Sequence, residues 1–235
     1  MYTASAHFYD LVYSSIKDYA VETSYLEGLL RSLHPEPHTV LDVACGTGEH
    51  ARALAAAGFA VDGLDLDPTF VQIAKGKHPL GQFVVADMQD FNLSQRYDAC
   101  LCLGSSIGYL KTLESVARAL RCFEKHLSPG GVIVVEPWFE PGFLDPKRVA
   151  RHIGERKGVR VVRTSRVEVE GRVSRFHFDY EITEGTTTRR VSEVHELGLF
   201  TTSELLDTFR NVGLDVDHDT KGLSGRGLYV AKMTA

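Results

Sequence analysis

Two carboxylates and two glycines are spaced to hold a small, polar, partly cationic ligand against the main chain. In Val40-Leu-Asp-Val-Ala-Cys-Gly-Thr-Gly-Glu-His50, Asp42 falls inside an apolar run, and Gly46 and Gly48 follow it. Glycines at a turn let backbone approach a ligand where a Cβ would obstruct it. About 20 residues further on, nucleotide-binding βαβ units place an acid that grips a ribose diol. Asp65, in Val61-Asp-Gly-Leu-Asp-Leu-Asp67, stands there, with Leu66 beside it. The glycines alone leave two readings, because Gly46-x-Gly48-x-x-Ala51 also satisfies the dinucleotide fingerprint of dehydrogenases. Asp42 separates them. A dinucleotide fold has an apolar residue at that point of the strand, whereas a buried carboxylate needs a partner. A cationic amino-acid moiety supplies one.

The elements that must position these residues follow from periodicity. Residues 17–33 repeat apolar positions at helical spacing, and a polar break, His34-Pro-Glu-Pro-His38, leads into a strand at 39–43. A helix over about 48–57 ends at Gly58, a favoured C-terminal cap, and a second strand follows. Pro68 opens the next helix, with Asp67 as its cap. Strand three, Phe83-Val-Val-Ala, ends in Asp87-Met88, and strand four, from Tyr97, ends in Leu103-Gly-Ser-Ser-Ile-Gly-Tyr109. A helix at about 112–127 stops at Ser128-Pro-Gly-Gly131, and Val132-Ile-Val-Val-Glu136 is strand five. Apolar strands alternating with amphipathic helices predict a parallel sheet covered on both faces. After Trp138 the period changes to two around 158–169, 172–183 and 187–199, with turns at Glu170-Gly171 and Glu184-Gly185. A helix from Thr202 and two closing strands complete the chain. The expectation is one α/β domain over 1–235, a Rossmann-like seven-stranded sheet with an antiparallel β insertion after strand five, at about 156–200.

Composition bounds the function. The chain has 235 residues, a net charge of −5 and 43% hydrophobic content, and no apolar stretch approaches membrane-spanning length. No basic patch marks a nucleic-acid or membrane partner. Cys45, Cys100, Cys102 and Cys122 lack zinc-ligand spacing, so reduced thiols in a cytoplasmic protein are expected and no metal is. The start lacks the basic and apolar segments of a signal peptide.

The acid, two residues and small-Gly-x-Gly turn resemble the first motif of the class I S-adenosylmethionine (SAM) methyltransferases. That resemblance implies that the turn carries the methionine end of SAM and that Asp65 holds its ribose. Asp87-Met88 matches the family's third motif and suits adenine, an acceptor for the exocyclic amine beside a thioether that packs on a ring. Tyr19, Asp42, Ala44, Gly46, Gly48, Asp65, Leu66, Asp87, Met88 and Leu103 are the expected cofactor residues, Asp67 being a weaker candidate. Further along, Phe8-Tyr-Asp-Leu-Val-Tyr13 with Lys17-Asp-Tyr19, Gly104-Ser-Ser-Ile-Gly-Tyr-Leu-Lys111, Val134-Val-Glu-Pro-Trp138 and Ser224-Gly-Arg-Gly-Leu228 are similar to the nucleotide-linked aminosugar N,N-dimethyltransferases. The likeness runs over nearly the whole chain in the same order.

That resemblance implies methyl transfer from SAM to the amino group of a dTDP-linked deoxyaminosugar, leaving S-adenosylhomocysteine (SAH). Such an acceptor brings a pyrophosphate, for which Arg226 is a planar donor; Arg148 reads better as a surface arginine. Tyr13, Ser105, Trp138 and Arg226 are the expected acceptor residues. Tyr109 and Glu136 are candidates for orienting the amine, and Glu136 for accepting its proton if burial raises its pKa. His126 and His195 read as structural. The insertion is read as a substrate lid or a homodimer surface. Methylation of another small metabolite, and SAM sensing without chemistry, remain alternatives.

Overall fold

In the computed structural model, residues 5–34 and 36–233 are described. Strands β1 (Thr39–Val43), β2 (Ala60–Asp65), β3 (Phe83–Val85), β4 (Tyr97–Cys102) and β5 (Leu127–Val135) run parallel. Four more strands form a separate antiparallel sheet in sequence order: β6 (Ala150–Arg156), β7 (Val159–Glu170), β8 (Val173–Glu184) and β9 (Thr187–Gly198). The chain then returns to the first sheet with β10 (Leu214–Asp219) and β11 (Leu228–Met233), giving seven strands in the order β10-β11-β5-β4-β1-β2-β3. Only β11 runs against the other six strands of that sheet. The chain moves outward from β1 to β3 and resumes on the other side of β1 at β4. The crevice outside the β1 and β4 tips is the switch point where such sheets bind ligands.

Helices α1 (Tyr9–Tyr13), α2 (Tyr19–Leu33), α3 (Glu49–Ala56), α4 (Pro68–Lys77), α5 (Leu113–Lys125) and α6 (Thr202–Asn211) complete the fold. Leu26 and Leu30 of α2, Leu54 of α3 and Ala74 of α4 cover one sheet face with Val40, Val61 and Leu101. Val116, Leu120 and Phe123 of α5 and Phe209 of α6 cover the other with Leu41, Cys100 and Ile133. Burial on both sides explains why the parallel strands are unbroken apolar runs. Local caps set the helix starts. Asp18 accepts from Ala20 and Val21 N–H, Asp67 from Thr69 N–H with Pro68 at the first turn, and Thr201 and Glu204 form a reciprocal capping box.

The antiparallel sheet has two unlike faces. Val161, Arg163, Phe176, Phe178, Tyr180, Ile182, His195 and Leu197 point inward, while Arg166–Asp179, Arg175–Glu196 and Arg190–Glu181 pair on the outer face. The period-two reading of 172–183 therefore holds, but the sheet begins at 150 and not at 156. β6 escaped sequence reading because it is a polar edge strand in which only Gly154 is buried. β5 also starts earlier than expected, since Leu127 already pairs with Tyr97 before a register shift carries the strand to Val132. The four cysteines are free and buried. Among the described residues no helix is long and apolar enough to cross a membrane.

Candidate active site

Two cavities open at the C-terminal tips of β1, β2 and β4, and they share Tyr9, Ala44, Gly46, Gly104 and Ser106. The smaller, about 50 Å³, is walled by Lys17, Tyr19, Asp42, Thr47, Glu49 and His50. The larger, about 270 Å³, runs past Asp65, Leu66, Asp87 and Met88 to Tyr13, Tyr109, Trp138, Phe176, Phe178 and His195. Together they form one trough with a charged end and an aromatic end.

The charged end is built largely from backbone. Ala44 and Gly46 have φ of 56° and 54°, and Gly48, with φ 75°, starts α3. A Cβ on Gly48 would lie 2.9 Å from the Ala74 Cβ, so only glycine lets α4 pack there. A non-glycine residue held at positive φ, as Ala44 is, marks a site the surroundings over-determine. Asp42 is 2% exposed, and its Oδ2 has no hydrogen-bond partner among the described residues. Burial, reinforced by Asp65 against the pull of His50 and Lys17, lifts its pKa to about 6. A buried carboxylate oxygen left over at a cavity wall fits an ammonium group. Asp65 ends β2, where its two oxygens accept from Gly46 and Asp67 N–H at 2.9 Å. The carboxylate is thereby fixed, with lone pairs left for a diol.

Three residues here, Lys17, Glu22 and His50, have no role in the sequence reading. Glu22 Oε2 lies 2.7 Å from His50 Nε2 and 3.0 Å from Lys17 Nζ, a buried cluster that places a cation beside Asp42. Lys17 and His50 can therefore meet a carboxylate while Asp42 meets an ammonium, which is the pattern of a free amino acid. The sequence signal was Lys17-Asp-Tyr19, one of the segments that carry the family resemblance. Tyr9, quoted above only within the Phe8–Tyr13 segment, is a wall residue as well. It stacks on Tyr13 at 4.0 Å between ring centroids and lines both cavities. Asp10, on the same short helix, bonds Thr47 Oγ1 and Lys77 Nζ at 2.5 Å, so α1 is clipped to the glycine turn and to α4.

At the aromatic end Trp138 packs edge-on against Phe176 and donates to Ser174 Oγ at 2.9 Å. Gly108 admits it, since a Cβ there would lie 2.9 Å from the Trp138 Cβ. Met88, Leu110 and the half-exposed Leu66 give the middle of the trough apolar walls suited to a base. Asp87 lies at its rim, and its Oδ1 accepts from Gln89 N–H at 2.8 Å, so it also caps its own turn.

Three expected residues sit elsewhere. Glu136 is fully buried, and its carboxylate accepts from Gly104 N–H at 2.8 Å, from Arg226 at 2.9 Å and from Ser224 Oγ. It lines neither cavity, and with three donors in place it is a strut joining the β4 tip to the C-terminal loop, not a base for the amine. Arg226 is turned toward that carboxylate, over the Trp138 and Phe139 rings, and its buried Nε has no partner among the described residues. Ser105, at φ 61°, is buried and donates to Pro137 O at 2.6 Å; Ser106 lines the trough in its place. Gly48 likewise shapes the turn without lining a cavity. His126 is structural, its Nδ1 bonding Cys122 O and its Nε2 accepting from Leu93 N–H. His195, expected to be structural, lines the larger cavity. Arg148 is exposed.

Known proteins resemble this chain in sequence and in fold. Residues 40–131 match the family model of a methyltransferase domain. The dTDP-3-amino-3,4,6-trideoxy-alpha-D-glucopyranose N,N-dimethyltransferase of Streptomyces venezuelae is 38% identical over 227 residues, 96% of each chain. The crystal structure of DesVI from Streptomyces venezuelae superposes with a TM-score of 0.92 at 38% identity, covering 97% of this chain and 98% of that one. The SAM-bound structure of CalS10, an amino pentose methyltransferase from Micromonospora echinaspora, covers 96% of each chain at 31% identity with a TM-score of 0.86. The charged end, with a buried carboxylate oxygen, two basic side chains and a fixed second acid, has the chemistry such a cofactor needs. This chain is a SAM-dependent N-methyltransferase and belongs to the family of dTDP-aminosugar N,N-dimethyltransferases.

Proposed function

We propose that the chain methylates the amino group of a dTDP-linked deoxyaminosugar, held at the aromatic end of the trough. The observation that carries this reading is the union of the two cavities through Tyr9, Ala44, Gly46, Gly104 and Ser106, which lets an amine at the aromatic end reach the donor end. It is supported by likeness over nearly all of a chain whose name specifies such a sugar.

In this mechanism SAM supplies an electrophilic methyl on a sulfonium, and the protein supplies placement. Asp42 binds the cofactor's ammonium, Lys17 and His50 its carboxylate, and Asp65 its ribose hydroxyls. Leu66, Asp87 and Met88 bracket the adenosine, Leu103 lies with the methionine end, and Tyr19 and α1 keep water from the donor end. Tyr13, Tyr109, Trp138 and Phe176 hold the sugar with its nitrogen lone pair directed toward the donor. Arg226 leaves Glu136 in part to meet the pyrophosphate. Four buried free thiols suit a cytoplasmic location. A homodimer goes with this reading, the outer face of the antiparallel sheet exposing Ile153 and Val194; light scattering that returns the mass of one chain rejects it.

The existing pairing of Arg226 with Glu136 favours a second reading, an amine acceptor without a nucleotide. Melting curves with SAH, NAD and dTDP, alone and in pairs, separate the two. Stabilisation by SAH with a further rise from dTDP is expected. A response to SAH alone transfers the argument to a nucleotide-free amine.

A further inference from the structure

The aromatic end holds a titratable pair, Tyr109 and the buried His195, of which the mechanism above uses only the tyrosine. Tyr109 Oη lies 2.8 Å from His195 Nδ1, and both side chains line the larger cavity. Tyr109 is 36% exposed at the cavity wall, whereas His195, behind it on the inner face of β9, is 2% exposed. On the far side of the imidazole, Nε2 stands 3.6 Å from Glu193 Oε2. Glu193 is itself held by Ser5, through its N–H at 3.0 Å and its Oγ at 2.8 Å. A carboxylate beside Nε2 favours the tautomer that carries its hydrogen there. Nδ1 is then an acceptor, and the single phenol hydrogen of Tyr109 is spent on it.

We propose that His195 is a positioning residue that makes Tyr109 a hydrogen-bond acceptor toward the substrate amine. The phenol oxygen presents only lone pairs to the cavity, so it holds an N–H of the amine. The nitrogen lone pair is left free to face the methyl donor. The opposite polarity would be inhibitory, because a phenol donating into the cavity would occupy the electron pair that must attack. The inference rests on the N-methyltransferase reading for the amine, and it leaves open which sugar carries it.

The arrangement carries its own pH dependence. Among the described residues, the titratable and charged groups facing His195 are Tyr109 from the 3-10 turn Ser106–Leu110, Glu193 from β9 and Arg163 from β7. Burial pushes the imidazole pKa down, Glu193 opposes this and Arg163 reinforces it, the net direction being downward. His195 is therefore neutral at neutral pH and gains a proton only below the ordinary imidazole range. The protonated ring donates from Nδ1, which turns the Tyr109 hydrogen into the cavity. Turnover at saturating amine falls as pH drops through that transition.

Two measurements test the idea, and the first needs no substrate. Nitrogen NMR of ring-labelled histidine in the SAH-bound protein near neutral pH should show His195 as the Nε2–H tautomer, with an Nδ1 resonance that shifts in Tyr109→Phe. An Nδ1–H tautomer or a protonated ring there overturns the proposal. The second is a double-mutant cycle in kcat, with dTDP-3-amino-3,4,6-trideoxy-α-D-glucopyranose as the amine. His195→Gln should lower kcat roughly tenfold in the wild-type background and have no further effect in Tyr109→Phe. Losses that simply multiply overturn it. Tyr109→Phe should also move the acid limb of kcat to lower pH, a readout that stands if His195→Gln folds poorly. If this sugar is not methylated by the wild-type protein, the substrate reading fails while the tautomer result still decides the role of His195.

Discussion

The charged end and the aromatic end of the trough, which the proposed reaction makes its donor and acceptor ends, are built by different means. At the charged end the central groups sit on two adjacent strand tips, with Lys17, Tyr19 and His50 added from the residues before α2, from α2 and from α3. Asp42 and the turn from Ala44 to Gly48 follow β1, and Asp65 ends β2 with its carboxylate pinned by two backbone N–H groups. Backbone in positive-φ conformations sets that geometry, and the hydrogen-bonded sheet leaves it little freedom. At the acceptor end, Tyr13, Tyr109, Trp138, Phe176 and His195 come from α1, a 3-10 turn, a loop and two strands of the antiparallel sheet. Their positions depend on side-chain pairs such as Trp138 with Ser174 and Glu136 with Arg226. The contrast implies that damage at the donor end shows as lost cofactor affinity, while damage at the acceptor end shows in KM for the amine.

The largest effect should come from Asp42→Asn, which removes the buried charge without changing shape. SAH affinity is expected to fall roughly 30- to 100-fold by calorimetry, the scale of a charge-assisted bond. Stability of the ligand-free protein should move the other way. Asp42 holds its proton up to about pH 6 in the fold but loses it near its ordinary pKa of 3.8 when unfolded. It therefore destabilises the fold as pH rises through that window, by on the order of 3 kcal/mol above it. The variant should melt higher than wild type above about pH 6, and wild-type SAH affinity should weaken below that pH as the carboxylate protonates. An affinity unchanged by the substitution would break the contrast at its stronger end.

Next, Glu136→Gln should raise KM for the acceptor about tenfold while SAH affinity changes little, because the Ser224 to Arg226 loop loses its anchor. A bell-shaped pH profile that loses its basic group in this variant would restore Glu136 as a proton acceptor. Asp10→Asn sharpens the comparison differently, since Asp10 ties the acceptor-wall helix α1 to the donor turn through Thr47 and to α4 through Lys77. A loss of about fivefold is expected in both SAH affinity and acceptor KM; an effect on one alone shows that α1 serves only that end. Smallest of all, Arg190→Ala breaks an ion pair on the outer face of the antiparallel sheet, where Arg190 is 82% exposed. Melting and kinetics should stay within about 0.5 kcal/mol of wild type.

Legibility in the sequence follows the same divide. The places of Asp42, Gly46 and Asp65 in the fold could be read directly, because their spacing along one βαβ unit fixes them; their ligand roles belong to the proposal. The inward alternation of Phe176, Phe178 and Tyr180 was also legible, since a strand repeats every two residues. Glu136 was misread because nothing at a strand tip announces that Gly104, Ser224 and Arg226 converge on it. Ser105 and Ser106 exchanged places through one left-handed residue, which turns the first hydroxyl onto Pro137. β6 lacks apolar alternation, and His195 looked ordinary until its register against Phe176 set it facing Tyr109. Pairings between distant segments are what local periodicity does not encode.

The most direct test of the account is product mass after incubating the purified protein with SAM and dTDP-3-amino-3,4,6-trideoxy-α-D-glucopyranose. Addition of one or two methyl groups to the sugar nitrogen, with matching release of SAH, is the predicted result. Tight SAH binding with no methylated product from this sugar or from its 3,6-dideoxy counterpart would contradict it.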